Sequence, residues 1–167
     1  YASNGSAAQR FGLTSAKAPR TVADGVYTIG SALGGSLVLD VAAGSKASGA
    51  NVQLYASNST AAQKFRVSYD EETGFYTVTN LNSGKVLDVA AGSTVNGTNV
   101  RQYDSNNTLA QRWLIRAAGS SFEIASAVNP ACVLDVAAAN ASNGANVQLY
   151  ASNGSAAQRF GLTSAKA

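Results

Sequence analysis

The pentapeptide Leu-Asp-Val-Ala-Ala stands at residues 39–43 and returns at residues 87–91 and 134–138, at intervals of 48 and 47 residues. Aligned without gaps over 27 residues, the stretch beginning at Leu39 is identical to its second copy at 16 positions and to its third copy at 19. Self-similarity at a fixed period indicates a chain built from repeated structural units. We therefore divide the sequence into three internal repeats, at about residues 22–70, 71–118 and 119–167.

Each repeat contains the apolar alternation of four short strands. In the first repeat the alternating pairs are Tyr27 with Ile29, Leu39 with Val41, Val52 with Leu54, and Phe65 with Val67. A loop rich in Gly, Ser and Asn separates the second strand from the third, and no segment has the period of a helix. A linear stack would expose strand edges, whereas a closed arrangement removes most of them. The sequence therefore predicts an all-β fold, a β-trefoil in which three pseudo-symmetric four-strand repeats share one core.

The composition argues against several kinds of catalyst. The chain has no His, which removes the commonest general base and the commonest zinc ligand. Its single cysteine, Cys132, has no partner for an intramolecular disulfide, and we expect it to be a small core residue. The carboxylates are dispersed along the repeats, whereas a glycosidase needs two of them flanking one bond. We therefore predict a protein that is not an enzyme and that uses no cofactor or metal.

Charge and hydropathy narrow the choice of partners. Twelve Lys and Arg residues stand against nine Asp and Glu residues, with no basic run and no basic-aromatic pattern. Nucleic acid is therefore not an expected partner. No stretch approaches the roughly 18 apolar residues of a membrane span, so we expect no membrane insertion. The first residues lack the charged and apolar regions of a signal peptide, which predicts a soluble, already trimmed chain.

Three motifs in register carry a family resemblance. In every repeat Leu-Asp-Val precedes a Gly-rich loop, and a Tyr follows the Asp after fifteen residues. Every repeat also ends in Gln-x-aromatic, at Gln63-Lys64-Phe65, Gln111-Arg112-Trp113 and Gln158-Arg159-Phe160. Over residues 22–167 the sequence resembles the ricin-type β-trefoil lectins. The resemblance implies a non-catalytic module that recognises cell-surface or polysaccharide glycans multivalently.

In this family the Asp accepts hydrogen bonds from sugar hydroxyls and the aromatic ring stacks on the sugar. The chemistry suits these residue types, because a carboxylate takes two hydroxyls and a ring covers the apolar C–H face. The resemblance implies these sugar-binding residues: Asp40, Gln53, Tyr55 and Asn58; Asp88, Tyr103 and Asn106; Asp135, Gln148, Tyr150 and Asn153. A second interpretation stays open, in which each Asp only braces the following loop. We assign the signature glutamines to loop backbone groups and the terminal aromatic residues to the core.

Two departures from the family pattern bear on the ligand. An Asn usually precedes the signature Gln in the toxin lectins, where this chain has Ala62, Ala110 and Ala157. Galactose-type glycans are therefore only one candidate among several. The second repeat has Arg101 in place of the helper Gln and Asp104 beside its tyrosine, so we expect its site to be altered. The disulfides common in the family are also missing.

The two ends of the chain are identical, because residues 1–18 repeat without change at residues 150–167. We interpret residues 1–18 as the closing segment of a preceding identical unit, or a linker, and residues 19–167 as one trefoil. A tandem array of this kind resembles bacterial secreted or cell-surface proteins, and an engineered duplication is the alternative.

One trefoil has a single slot for the closing strand that both copies contain. We therefore predict that one copy closes its own barrel and the other exchanges with a neighbouring molecule.

A structural or adhesive spacer without a working sugar site is the alternative function.

Overall fold

The computed structural model describes residues 17–34 and 36–167. Over these residues the backbone forms twelve strands and six short 3₁₀ turns. The strands are β1 Gly25–Ser31, β2 Leu37–Val41, β3 Val52–Ala56, β4 Phe65–Tyr69, β5 Tyr76–Asn80, β6 Val86–Val89, β7 Thr98–Tyr103, β8 Trp113–Ala118, β9 Ser121–Ser126, β10 Cys132–Val136, β11 Val147–Ala151 and β12 Phe160–Ser164. The 3₁₀ turns are Ala42–Gly44, Ala61–Gln63, Ala90–Gly92, Leu109–Gln111, Ala137–Ala139 and Ala156–Gln158. The prediction of four strands in each repeat is confirmed. No helix among these residues is long and apolar enough to cross a membrane.

Six of the strands close into a barrel. Going round the barrel, β1 pairs with β4, β4 with β5, β5 with β8, β8 with β9, β9 with β12, and β12 with β1, all antiparallel. The other six strands form the hairpins β2–β3, β6–β7 and β10–β11. A six-stranded barrel with three equivalent hairpins is the predicted β-trefoil.

The C-terminal copy of the duplicated segment closes this barrel. Strand β12 pairs with β1 from Phe160 opposite Ser31 to Ser164 opposite Tyr27. The other copy is residues 1–18, and its residues 1–16, which include the closing strand, lie outside the described residues. The predicted strand exchange with a neighbouring molecule therefore stays a prediction.

The core uses the same repeat positions three times. The aromatic residues of the Gln-x-aromatic motifs are at most 1% exposed: Phe65, Trp113 and Phe160. The leucines of the Leu-Asp-Val motifs are buried in the same cluster: Leu39, Leu87 and Leu134. Burying one such side chain contributes about 2 kcal/mol, so the three repeats stabilise the fold only when they assemble around a common centre. Cys132 is buried in this cluster, as expected.

Three asparagines form a closed hydrogen-bonded ring between the hairpins. Asn51 Nδ2 donates to Asn146 Oδ1 at 2.8 Å, and Asn146 Nδ2 donates to Asn99 Oδ1 at 2.9 Å. Asn99 Nδ2 completes the ring by donating to Asn51 Oδ1 at 2.8 Å. Because each amide donates once and accepts once in the same sense, the ring requires three equivalent residues around one axis.

An ionic cluster around the buried Glu123 joins strands β8 and β9 to the segment between β11 and β12. Glu123 on β9 accepts hydrogen bonds from Arg116 Nη2 at 2.6 Å and from Ser152 Oγ, and Arg159 Nη1 lies 3.4 Å from it. Burial raises the pKa of Glu123, but the hydrogen bonds from Ser152 and Arg116 and the two positive charges outweigh it. The pKa of Glu123 therefore lies below its ordinary value.

Replacing Glu123 with Gln removes the carboxylate and leaves both arginines without their counter-charge. We expect a loss of about 2 kcal/mol of unfolding free energy at pH 7. Since folding lowers the pKa of Glu123, the carboxylate stabilises the fold above about pH 4.3 and this contribution disappears as the pH falls through the lower folded pKa. Melting temperatures of wild type and Glu123→Gln should therefore converge between pH 7 and pH 3. Glu72→Gln, at an exposed turn position, is the control and should have the melting temperatures of the wild type. A difference in melting temperature between wild type and Glu123→Gln that stays constant from pH 7 to pH 3 would contradict the prediction.

Candidate functional site

Strand pairing brings the predicted site residues together on each hairpin. In the first hairpin, Asp40 on β2 lies directly opposite Gln53 on β3, and Tyr55 stands two residues further along β3. Alternate residues of a strand point to the same face, so all three side chains share one surface. The third hairpin has the same register, with Asp135 opposite Gln148. Side chains fifteen residues apart in sequence thus become neighbours.

Each hairpin has a pocket at this surface, and we number the pockets by repeat. Site one has a volume of about 450 Å³. All four residues predicted for it lie in its wall: Asp40, Gln53, Tyr55 and Asn58. Site three has a volume of about 300 Å³. It is likewise lined by all four predicted residues: Asp135, Gln148, Tyr150 and Asn153.

The signature glutamine of the first repeat holds the aspartate of site one in place. Asp40 Oδ2 accepts a hydrogen bond from Gln63 Nε2 at 2.9 Å, and Oδ1 accepts one from Gln53 Nε2 at 3.0 Å. Gln63 also donates to the carbonyl of Ala56 at 3.0 Å and accepts from the backbone N–H of Asn58 at 2.8 Å. The predicted role of this glutamine in satisfying loop backbone groups is confirmed. Its bond to the aspartate was not foreseen.

Site three repeats this arrangement. Asp135 accepts one hydrogen bond from Gln158 and one from Gln148, each at 2.9 Å. The aspartates of both sites are only 6% exposed, and their oxygens are held by glutamine amides rather than by loop N–H groups. A carboxylate has about four acceptor positions, so one donor on each oxygen leaves capacity for further hydroxyl donors. A buried, oriented carboxylate with spare acceptor capacity is suited to recognising hydroxyls.

The loop after each aspartate turns through left-handed backbone. The second Ala of each pentapeptide has a φ of 58°, 57° and 57°, at Ala43, Ala91 and Ala138. This conformation is uncommon for a residue with a Cβ and costs about 1 kcal/mol. Such strain persists where the surrounding structure enforces it, often beside functional sites. All three alanines line the pockets, which places a strained turn of small residues at each rim.

The tyrosines of sites one and three present their rings to solvent. Tyr55 is 40% exposed and Tyr150 is 38% exposed, which sets them apart from the buried aromatic residues of the core. Each ring stands beside a carboxylate that can hold polar groups. An aromatic face next to an acceptor matches a ligand that has one apolar face and several hydroxyls.

Site two has the same backbone but a different chemistry. Arg101 Nε donates to Asp88 Oδ1 at 2.9 Å, where sites one and three have a glutamine amide. The Arg101 guanidinium also lies 4.2 Å from the centre of the Tyr103 ring. The pocket, of about 290 Å³, is lined by Asp88, Arg101 and Asn106, and Tyr103 is absent from its lining. The expectation of an altered site agrees with this geometry: Asp88 has one donor on each oxygen, as Asp40 has, but the donor to Oδ1 is a positive charge that also covers the Tyr103 ring.

Sequence reasoning missed a side chain that another repeat contributes to the wall of site one. Asn82, from the turn between β5 and β6, lines this pocket, and its Nδ2 donates to the carbonyl of Gly44 at 2.9 Å. Asn82 belongs to the second repeat, so no motif within the first repeat points to it. Only the packing of neighbouring repeats places it there.

Comparison with known proteins identifies relatives of this architecture. A family model described as ricin-type beta-trefoil lectin domain-like matches residues 61–150. No curated protein sequence matches the chain.

Three solved structures illustrate the similarity. The designed three-fold symmetric protein ThreeFoil is 33% identical with a TM-score of 0.80, over 85% of this chain and 100% of that protein. The Rhizoctonia solani agglutinin is 28% identical with a TM-score of 0.79, over 89% of this chain and 100% of the agglutinin. An exo-β-1,3-galactanase from Clostridium thermocellum is 26% identical with a TM-score of 0.79, over 89% of this chain and 31% of the enzyme chain. In that last case the chain corresponds to a part of a larger protein.

Proposed function

The chain belongs to the ricin-type β-trefoil lectin domain-like family, and from that premise we propose that it is a non-catalytic carbohydrate-binding module with two working sites. The observation that carries the proposal is the pairing of a held carboxylate with an exposed tyrosine at sites one and three. Site two lacks this combination, because the Arg101 guanidinium covers the Tyr103 ring and pairs with the negative charge of Asp88. The proposed ligands are neutral glycans.

Binding at each working site rests on a division of labour between two side chains. The aspartate accepts hydrogen bonds from two neighbouring hydroxyls of one sugar ring, and the adjacent glutamine offers its carbonyl oxygen as a further acceptor. The tyrosine ring covers the C–H face of the same sugar and excludes water from it. Because Gln63 and Gln158 orient the aspartates before a ligand arrives, little ordering entropy is lost on binding.

Two weak sites on one rigid domain support multivalent recognition. A site of millimolar affinity supplies about 4 kcal/mol, and linking sites raises the overall affinity for a surface that displays many sugars. Two relatives lend support, since one is an agglutinin and the other acts on a galactan. We propose galactose-type sugars as the first ligands to test. A place outside the cell, in a tandem array of such domains, fits this role and stays part of the proposal.

Titration of the chain with a sugar selected on a glycan array tests the proposal. We expect two binding sites per chain for the wild type. The variant Arg101→Gln restores at site two the residue type that sites one and three have, uncovers Tyr103, and should raise the number of sites to three. Isothermal titration against a multivalent glycopolymer, or sugar-induced NMR shifts assigned to each site, gives the count.

The control for this experiment is Arg66→Gln, the same chemical change at an exposed position on β4. It should leave two sites. Three binding sites in the wild type would contradict the assignment. Sugar-induced NMR shifts at Asp88 in the wild type, with no gain of a site in Arg101→Gln, would contradict it as well. A flat response across the glycan array would favour the spacer function.

A further inference from the structure

Site one is larger than its two equivalents. Its volume of about 450 Å³ compares with about 300 Å³ at site three and about 290 Å³ at site two. Residues of two repeats line this pocket, because Asn82 of the second repeat bonds to the loop at Gly44 of the first. The common repeat positions alone therefore do not account for the extent of this pocket.

The two other repeats have apolar residues where the second repeat has Asn82. The turns are equivalent, since each of these residues donates its backbone N–H to the side chain two positions earlier at 3.1 Å. The equivalent residues are Leu33 and Val128, which follow Ser31 and Ser126. Leu33 packs against the hydrophobic core. Site one is thus the site with a polar side chain at this turn.

A second residue that is particular to the second repeat supports the loop in the wall of site one. Gln102, 1% exposed, stands where the other repeats have Leu54 and Leu149, and its Nε2 donates to the carbonyls of Ser45 and Ala47 at 3.0 and 2.8 Å. Ser83, next to Asn82, donates to Gln102 Oε1 at 2.7 Å. A buried amide bonded on both sides fixes its partners firmly. The loop that Asn82 contacts is therefore anchored to the second repeat.

We infer that Asn82 and the Gly44 loop form a second subsite, which binds the neighbouring sugar of an oligosaccharide whose first sugar lies on Asp40 and Tyr55. This inference rests on the proposed function of site one. One N–H of the Asn82 amide is bonded to the Gly44 carbonyl, and an amide has a second N–H and an oxygen that can bond hydroxyls. The pocket of site one is also half as large again as that of site three, which leaves room beside a first sugar. Site one consequently prefers disaccharides, whereas site three recognises single sugars.

Affinity measurements in the Tyr150→Ala background, where site three is silenced, test this subsite. The probes are galactose, N-acetylgalactosamine, glucose, mannose and N-acetylglucosamine, each alone and as the terminal sugar of a matched disaccharide. We expect the best disaccharide to bind about five- to tenfold more tightly than its terminal sugar, the effect of one or two hydrogen bonds. Asn82→Ala should remove this preference and leave the affinity for the single sugar unchanged.

Val128→Ala, at the equivalent turn beside site two, is the matched control and should keep the preference. An equal loss of affinity for single sugar and disaccharide in Asn82→Ala would overturn the subsite, because it would mean that Asn82 only supports the loop. Equal affinities in the unmodified site would overturn it as well. No binding of any probe by the wild type would instead refute the proposed function.

Discussion

Replacing both Tyr55 and Tyr150 with Ala should abolish measurable sugar binding and lower the melting temperature by no more than about 4 °C. Tyr55 is 40% and Tyr150 38% exposed, and neither ring is part of the hydrophobic core, so its removal leaves the core packing unchanged. Substitutions at such surface positions usually change the unfolding free energy by less than about 0.5 kcal/mol. The loss at the sites is larger, because ring stacking contributes about 1 kcal/mol beyond the apolar area that the ring covers. Starting from millimolar affinity, a tenfold or greater loss takes each site beyond detection.

Tyr103→Ala is the matched control for this double variant. The Tyr103 ring is covered by Arg101 at 4.2 Å, so its loss should leave sugar binding unchanged. Titration calorimetry and scanning calorimetry on the same samples separate binding from stability. Retained binding with a large fall in melting temperature would reverse the roles assigned to Tyr55 and Tyr150.

Gln63→Leu has the largest expected effect on stability. The substitution deletes the donor to Asp40, the donor to the Ala56 carbonyl and the acceptor for the Asn58 N–H, and Gln63 is fully buried. Each buried group left without its partner costs about 1 kcal/mol or more, so we expect a loss of about 3 kcal/mol. For a domain of this size that corresponds to a fall of roughly 10 °C in melting temperature.

The same substitution should also impair site one, because Asp40 loses one of its two orienting bonds. Gln53→Leu is the comparison: Gln53 is half-buried and makes one of the bonds to Asp40, so it should cost about 1 kcal/mol. Thermal unfolding monitored by circular dichroism measures both variants. A Gln63→Leu protein as stable as Gln53→Leu would show that the signature glutamine is not the main support of the site.

The repeats made much of this molecule predictable from sequence. Tyr55 could be paired with Asp40 because a hairpin of regular strands fixes which side chains share a face. The burial of Trp113 and its equivalents followed from their apolar alternation in the fourth strand of each repeat. The sequence also indicated that the second site differs, since Arg101 interrupts a pattern that the other two repeats keep.

Side-chain rotamers and contacts between repeats were beyond the reach of the same reasoning. That Arg101 covers Tyr103 depends on the rotamer of a long side chain, and a sequence pattern does not determine it. Asn82 is missed for a different reason, since its contact with Gly44 joins residues 38 positions apart in two different repeats. The asparagine ring likewise joins residues of three different repeats, at or directly before the starts of β3, β7 and β11.

The sequence by itself determined the repeat, the strands, the trefoil and the residue types available at each hairpin. These follow from period and polarity, which act over a few residues and are repeated three times. Only the tertiary structure decided which tyrosine ring is covered, how each aspartate is held and which neighbouring repeat supplies a wall. These features depend on contacts between side chains that are distant in sequence. Equivalent backbone positions in the three repeats place different residues in contact.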